Sequence, residues 1–522
     1  MKDISILNDV LGPVMRGPSS SHTAGSWHLA RLARSLLGER PVEARFLFDK
    51  DGSYGKVHFE QGSDFAFASG LLGWPITDER FPRALELAPV EGLKASFITG
   101  EIPGADHPND VAIELCGELG ARLSLRGRSV GGGAVELRFL EGWPVMITGS
   151  TWVVAVEVET AANGGMDTAN QAAACLAQDG AVLEEVEISR NGGLALVLAR
   201  RKEQLPATIK TRLSGLVGYR RSWEVAPLNF VKRGHAPFSS FAEMSSVKRA
   251  GLLGLAYETA LLCIPETELL VEMAKRLDLM IASVARGLDL GLPAMQLLDP
   301  SAGQVLASEK AGKAAFGGLH TRAAVRAMAA LHVNCGMGVV CAAPTAGSAG
   351  VIPGVMATLV EELGIAREKA VECLFAAGLV GALIAERATF AAEVAGCQVE
   401  IGAAGAMAAA AVVEAAGGSA AQAADAAAVC LQNTMGSVCD LVQGVVEIPC
   451  HTRNAVAASS AFVVADLVMG GYRNPIPLDE TIDAMLSVGR MMPPELRVTS
   501  LGGLAVTPSA LAMPKRSWGG PA

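Results

Sequence analysis

Residues 17 to 28, GPSSSHTAGSWH, set Ser19, Ser20, Ser21, His22 and Thr23 directly before a stretch of helical period. The unpaired N–H groups and positive dipole end of a helix N-terminus attract an anion, so this turn is a candidate seat for a substrate carboxylate; a helix cap with spare serines accounts for the same residues. A second turn, CAAPTAGSAGVIPG at 341–354, places Thr345, Gly347 and Ser348 between apolar flanks. It has the makings of an anion cradle without the lysine of a phosphate-binding loop, or of a tight connection between two helices. The third polar island holds Cys397 in VAGCQVEIG, Cys439 in GSVCDLVQG and Cys450 in EIPCHTRNA. None forms a CxxC pair, and buried core thiols suit this spacing as well as metal ligands do. Gln398, Glu400, Asp440, Gln443, Glu447, His451, Arg453 and Asn454 crowd around them, and polar groups inside an apolar bundle need partners.

The elements that must position these islands fall into three expected regions. Residues 1–148 read as an α+β domain: AGSWHLARLARSLLG has helical period, whereas VEARFLFD, VAIELCG and AVELRFLEG alternate as half-buried strands do. Residues 149–203 read as a small βαββ module, with strand STWVVAVEVET, helix MDTANQAAACLAQDG and a strand pair meeting at Gly192 and Gly193. Residues 204–237 gather Pro, Gly and Arg without a period and are expected to be a linker. From 238 to 522 the pattern is an all-helical bundle whose alanine-rich helices pack closely.

Composition narrows the function. Half of the 522 residues are apolar, only 5% are aromatic, and the net charge is -10, which leaves no basic stripe for nucleic acid and favours a small-molecule ligand. The run GAAGAMAAAAVVEAAGG is broken by Gly and Glu and reads as weaker than a membrane span. The N-terminal MKDISILNDVLGPVM mixes acids with apolar residues and does not read as an export signal, so a soluble, cytoplasmic protein is expected, with its ten cysteines reduced.

Taken together, GPSSSHTAG, APTAGSAGVIPG, AGCQVEIG, VCDLVQG and EIPCHTRNA resemble the iron-sulfur L-serine dehydratases, with a β-type domain first, an ACT-like module next and an α-type domain last. The resemblance implies that Cys397, Cys439 and Cys450 hold a four-iron four-sulfur cluster, whose open iron acts as a Lewis acid. It implies a small amino-acid or hydroxy-acid substrate whose carboxylate meets Ser19, Ser20, Ser21 and Thr23 on one wall and Thr345, Gly347 and Ser348 on the other. Arg453 and Asn454 would orient it, and Asp64 would join the binding set. A homodimer, paired through the ACT-like module, is also implied.

The chain departs from that family at two places. Where the family carries GHGTD, residues 60–64 read EQGSD: Gly62, Ser63 and Asp64 keep the frame, but Gln61 replaces the histidine expected to take the α-proton, and a neutral amide is no base. His22 and His58 are the replacement candidates, His22 slightly preferred because His58, three residues from Gln61, would face away on a regular strand. Beside the second cysteine, Leu441 and Gln443 stand where the family has proline and alanine. These departures leave open a desulfhydrase, a dehydratase for another hydroxy acid, or a non-catalytic amino-acid sensor.

Overall fold

The computed structural model describes residues 2–160, 167–244 and 249–517; residues 161–166 of the expected module and 245–248 and 518–522 of the expected helical region lie outside them. The N-terminal domain is a six-stranded sheet in the order β3-β2-β4-β5-β6-β7, formed by β2 (Pro41–Asp49), β3 (Lys94–Gly100), β4 (Asp110–Gly117), β5 (Arg122–Gly131), β6 (Ala134–Leu140) and β7 (Trp143–Ile147). Only β2 and β3 run parallel. Helices α1 (Gly25–Leu37), α2 (Ser53–Val57), α3 (Ser63–Leu72) and α4 (Ala84–Val90) accompany it, and Leu29, Phe46, Phe48, Phe67, Ile113 and Leu125 share its core.

The expected linker is part of the second sheet. Strands β8 (Trp152–Glu159), β9 (Glu187–Asn191), β10 (Leu194–Arg201) and β11 (Tyr219–Val225) form the order β11-β8-β10-β9, with α5 (Thr168–Ala177) and α6 (Ala207–Ser214) between them in sequence. The module is therefore βαββαβ and reaches Val225. The Gly192-Gly193 turn joins β9 to β10 with φ of 54° and 87°, the left-handed pair that a two-residue hairpin needs. Both faces of the sheet are covered: Val154, Val156 and Val197 pack against α5 and α6, while Val153, Ala155, Leu196 and Leu198 join the N-terminal core. Two-sided burial explains why β8 reads as a continuous apolar run.

The helical unit contains α7 (Ala250–Leu262), α8 (Glu266–Gly287), α9 (Ala302–Lys310), α10 (Leu319–Cys335), α11 (Val351–Glu361), α12 (Arg367–Arg387), α13 (Ala392–Ala395), α14 (Ile401–Ala415), α15 (Ala420–Thr434), α16 (Cys450–Met469), α17 (Leu478–Met491) and α18 (Pro508–Ala512). By length and composition Cys397–Ala415 is apolar enough to cross a membrane, contrary to the expectation from its Gly and Glu, but 94% of it is buried within the protein. It is the bundle's central helix, packed against α12, α15 and α16.

Two links fasten this unit to the N-terminal domain. Residues Ile6, Leu7, Val10 and Leu11 pack in the helical core rather than with the first sheet, so the chain's start belongs to both regions. At Gly378 and Gly381 of α12 a Cβ would stand 2.3 Å from Ile6 and 2.2 Å from Val10, which is why glycine occupies both. Next, β1 (Val14–Arg16) pairs antiparallel with β12 (Val339–Cys341), so the serine-rich turn after β1 and the Thr345 turn after β12 leave one two-stranded ladder together.

Candidate active site

The serine-rich turn is a wide helical turn, Ser20–Ala24, running straight into α1. Ser19 caps it: its Oγ accepts from His22 N at 3.2 Å. Thr23 Oγ1 donates to Gln61 O at 2.8 Å and is thereby committed to the fold. The hydroxyls of Ser20 and Ser21 have no hydrogen-bond partner among the described residues, so they remain available to a ligand although both residues are buried.

The two candidate bases differ in kind. His22 is fully enclosed, with Nδ1 3.3 Å from Ser19 Oγ and Nε2 3.2 Å from Ser53 Oγ. Burial pushes its pKa down to about 4 against the pull of Glu393, so the imidazole is neutral near pH 7. His58 lies on a helical turn, not on a strand: it caps α2, Gln61 N donates to Val57 O, and Ser63 N donates to His58 O. The three-residue offset to Gln61 that would reverse a strand's face is close to one helical turn, so the two side chains lie near one face. His58 Nδ1 is 2.7 Å from Asp64 Oδ1, its ring lies against Phe48, and its Nε2 has no partner among the described residues. Asp64 is thus occupied by His58.

The second turn, residues 345–348, is closed by its own side chains: Thr345 N donates to Ser348 Oγ, and Ser348 Oγ also reaches Thr345 Oγ1 and Ala343 O. Gly347 faces the helical unit, where a Cβ would lie 3.5 Å from both carboxylate oxygens of Glu400. Asn454 fixes this turn. Its Nδ2 donates to Gly347 O and Cys450 O, and its Oδ1 accepts from Gly350 N, so every polar atom of the side chain is used.

The three cysteines come from three separated segments and are all buried and free. Gly396, at φ 76°, lets the Cys397 segment press against the Cys439 loop: a Cβ there would lie 2.7 Å from Ser437 O, Gln398 N donates to Ser437 O, and Gly436 N donates to Gln398 Oε1. Cys450 opens α16. The ligand atoms of Cys397, Glu400 and Cys439 all lie within 4.8 Å of one another, a group that could hold a metal. Arg453 spans the loops, donating to Val438 O at 2.7 Å and Asp440 Oδ1 at 3.0 Å, with Nη1 3.5 Å from Cys397 Sγ. The Cys439 thiol and then the Arg453 guanidinium favour the charged form of Cys397, whereas burial raises Cys450. Gln443 turns away from this group and donates to Ala510 O and Met513 O of the C-terminal segment.

The structure brings the islands together across the domain interface. Gln61 Nε2 donates to Gly444 O, between Cys439 and Cys450, at 3.1 Å. Glu393, four residues before Cys397, comes to 4.0 Å from His22. Sequence reading missed Glu393, Ser53 and Asn109; the available signal for Glu393 was a lone acid in the apolar stretch leading to a cysteine.

Comparison with known proteins gives the family. The sequence profile of the family described as serine dehydratase alpha chain matches residues 153–505, from β8 through all three cysteines. The chain is 43% identical over 249 residues to a probable L-serine dehydratase alpha chain of Bacillus subtilis, covering 48% of this chain and 83% of that one. It is 37% identical over 241 residues to the L-serine dehydratase alpha chain of Peptoniphilus asaccharolyticus, covering 46% and 82%. A probable L-serine dehydratase beta chain of Bacillus subtilis is 38% identical over 143 residues, 27% of this chain and 63% of that one. The match takes in most of the chain, including the segments of Cys397, Cys439 and Cys450, and the protein belongs to the serine dehydratase alpha chain family.

Proposed function

We propose that the protein is an iron-sulfur L-serine dehydratase that converts L-serine to pyruvate and ammonia. The observation that supports this most directly is the buried group of Cys397, Glu400 and Cys439, whose ligand atoms lie within 4.8 Å of one another, with the Cys450 thiol near enough for its charge to act on both cysteines. Thiolates in an apolar pocket suit an iron-sulfur cluster, and the residues to hold it are Cys397, Cys439 and Cys450. The chemistry such a group supplies when bound is Lewis acidity at an iron without a protein ligand, which makes hydroxide a better leaving group.

The protein's own residues do the rest. Ser20 and Ser21 bind the substrate carboxylate at the mouth of α1, where the helix dipole favours an anion. Asp64 holds His58 through Nδ1, leaving Nε2 as the acceptor for the α-proton; His22 stays neutral and orders the serine turn through Ser19 and Ser53. Loss of the α-proton and the β-hydroxyl gives aminoacrylate and water. Aminoacrylate then tautomerises and takes up water, releasing pyruvate and ammonia. Asn454 keeps the Thr345–Ser348 turn against α16, and Arg453 holds the cysteine loops in place.

The βαββαβ order of the second sheet supports an ACT-like regulatory module, whose open edges β9 and β11 are available for pairing two copies of the chain.

Anaerobic reconstitution with iron and sulfide tests the reading. Wild-type protein should bind four irons and four sulfides and release pyruvate from L-serine, and Cys439→Ala should lose most cluster absorbance and all turnover. A single bound metal ion, or iron content and turnover that survive Cys439→Ala, would overturn the ligand assignment. A desulfhydrase would instead release sulfide from cysteine, and a sensor would bind serine without turnover.

A further inference from the structure

Glu393 is a buried acid with no cation beside it. Its side chain is 4% exposed, and its Oε1 accepts a hydrogen bond from Asn109 Nδ2 at 3.2 Å. No lysine or arginine pairs with it among the described residues. Four other buried acids of the helical unit, Glu258, Glu447, Glu414 and Asp440, are compensated. Glu258 accepts from Ser5 Oγ and from the N–H groups of Ile6 and Leu7, and Glu447 from the N–H groups of Gln296, Leu297 and Leu298. Glu414 pairs with Arg249 and Lys369, and Asp440 with Arg453. The imidazoles nearest Glu393, His22 and His107, are both held below the usual histidine range by burial, so neither supplies a positive charge near pH 7.

Asn109 adds a second acceptor that lacks a donor. Its Nδ2 faces two acceptors, Glu393 Oε1 and Ser129 O, which fixes the orientation of the amide; the opposite atom, Oδ1, is then buried without a partner. A carboxylate needing a cation and an amide oxygen needing a donor thus sit side by side, and the serine turn beside them presents N–H and hydroxyl donors to an anion. The two halves complement a zwitterion, because an ammonium brings one positive charge and three N–H donors.

Resting on the reading of the site as a serine dehydratase, we infer that Glu393, assisted by Asn109 Oδ1, binds the α-ammonium of the substrate and makes the site select 2-amino acids over acids that lack the amine. This identifies a substrate-binding residue in the segment leading to Cys397 and narrows the choice between amino and hydroxy acids that the sequence left open.

The test measures binding by calorimetry on anaerobically reconstituted protein, alongside steady-state kinetics. The two ligands are L-serine and 3-hydroxypropanoate, which keeps the carboxylate and hydroxyl but has no amine. In Glu393→Gln, affinity for L-serine should fall roughly 10- to 100-fold, as for loss of a hydrogen bond to a charged group, and affinity for 3-hydroxypropanoate should stay within about twofold. Glu393→Asp, which keeps the charge, should retain most of the preference. Equal loss of both ligands in both variants marks a structural role and overturns the inference, as does an unchanged preference in Glu393→Gln. Wild-type protein that binds L-serine selectively through Glu393 but releases no pyruvate would defeat the reaction assignment alone; normal turnover with an unaltered preference in Glu393→Gln would defeat this inference alone.

Discussion

His58 Nδ1 and Asp64 Oδ1 are 2.7 Å apart, an imidazole held by a carboxylate with its second nitrogen left free. Gln61, where the resemblance led one to expect a histidine base, instead donates to Gly444 O and clamps the two units together. His58→Asn should therefore reduce kcat about 10²- to 10⁴-fold with iron content unchanged, and Asp64→Asn should give a smaller loss in the same direction. Anaerobic assays on L-serine decide it: normal kcat in His58→Asn with a large loss in His22→Asn moves the base to His22.

Ser20 and Ser21 are the members of the serine turn with uncommitted hydroxyls. Ser21→Ala should raise KM for L-serine about tenfold, by the usual worth of a hydrogen bond to a charged group, with little change in the unfolding midpoint. Ser19→Ala should behave differently, lowering stability by about 1 kcal/mol because Ser19 caps His22 N. Kinetics and thermal unfolding on the same preparations separate the two; unchanged KM in Ser21→Ala makes the turn a cap only.

Asn454 makes three hydrogen bonds, two of them buried, that join Cys450, Gly347 and Gly350. Asn454→Ala leaves those backbone groups unpaired and should cost about 2 to 4 kcal/mol in stability. Chemical unfolding under anaerobic conditions measures this. A loss below about 0.5 kcal/mol would show that the turn does not depend on the amide.

Buried neutral histidines set an acid limit. Burial lowers His22 to about 4 and His332 to about 3, whereas the unfolded chain titrates them near 6.5. The unfolded state binds these protons first, so stability is fully present above about pH 6.5 and declines as pH falls towards 4 and 3, each histidine contributing on the order of 3 kcal/mol across its window. Unfolding free energies measured from pH 7.5 to 4 should follow that slope. His332→Gln should flatten part of it, and a flat profile in the wild type would contradict the burial of these groups.

The sequence by itself carried the longer, strongly periodic elements and the three polar islands, because those depend on local period and on residue chemistry. Alternation marked β2, β4 and β6, glycines at 192 and 193 marked a hairpin, and three cysteines in a polar neighbourhood marked the metal-binding candidates. What the linear pattern could not carry was which atoms were already spent. Thr23 and Asn454 looked like substrate ligands, yet the fold consumes Thr23 Oγ1 on Gln61 O and all of Asn454 on backbone groups far away in sequence. The Pro- and Arg-rich stretch after residue 204 read as a linker because α6 and β11 owe their order to a sheet formed with β8, a pairing without local signature. His58 was judged on a strand because a helix as short as Ser53–Val57 shows too little period to be recognised. Glu393 shows in the sequence only as a lone acid in the apolar stretch before Cys397, and tertiary packing removes its water, denies it a cation and brings it to Asn109 and His22. Desolvation and pairing arise between segments distant in sequence, so the tertiary structure alone decided which polar residues remain free to act.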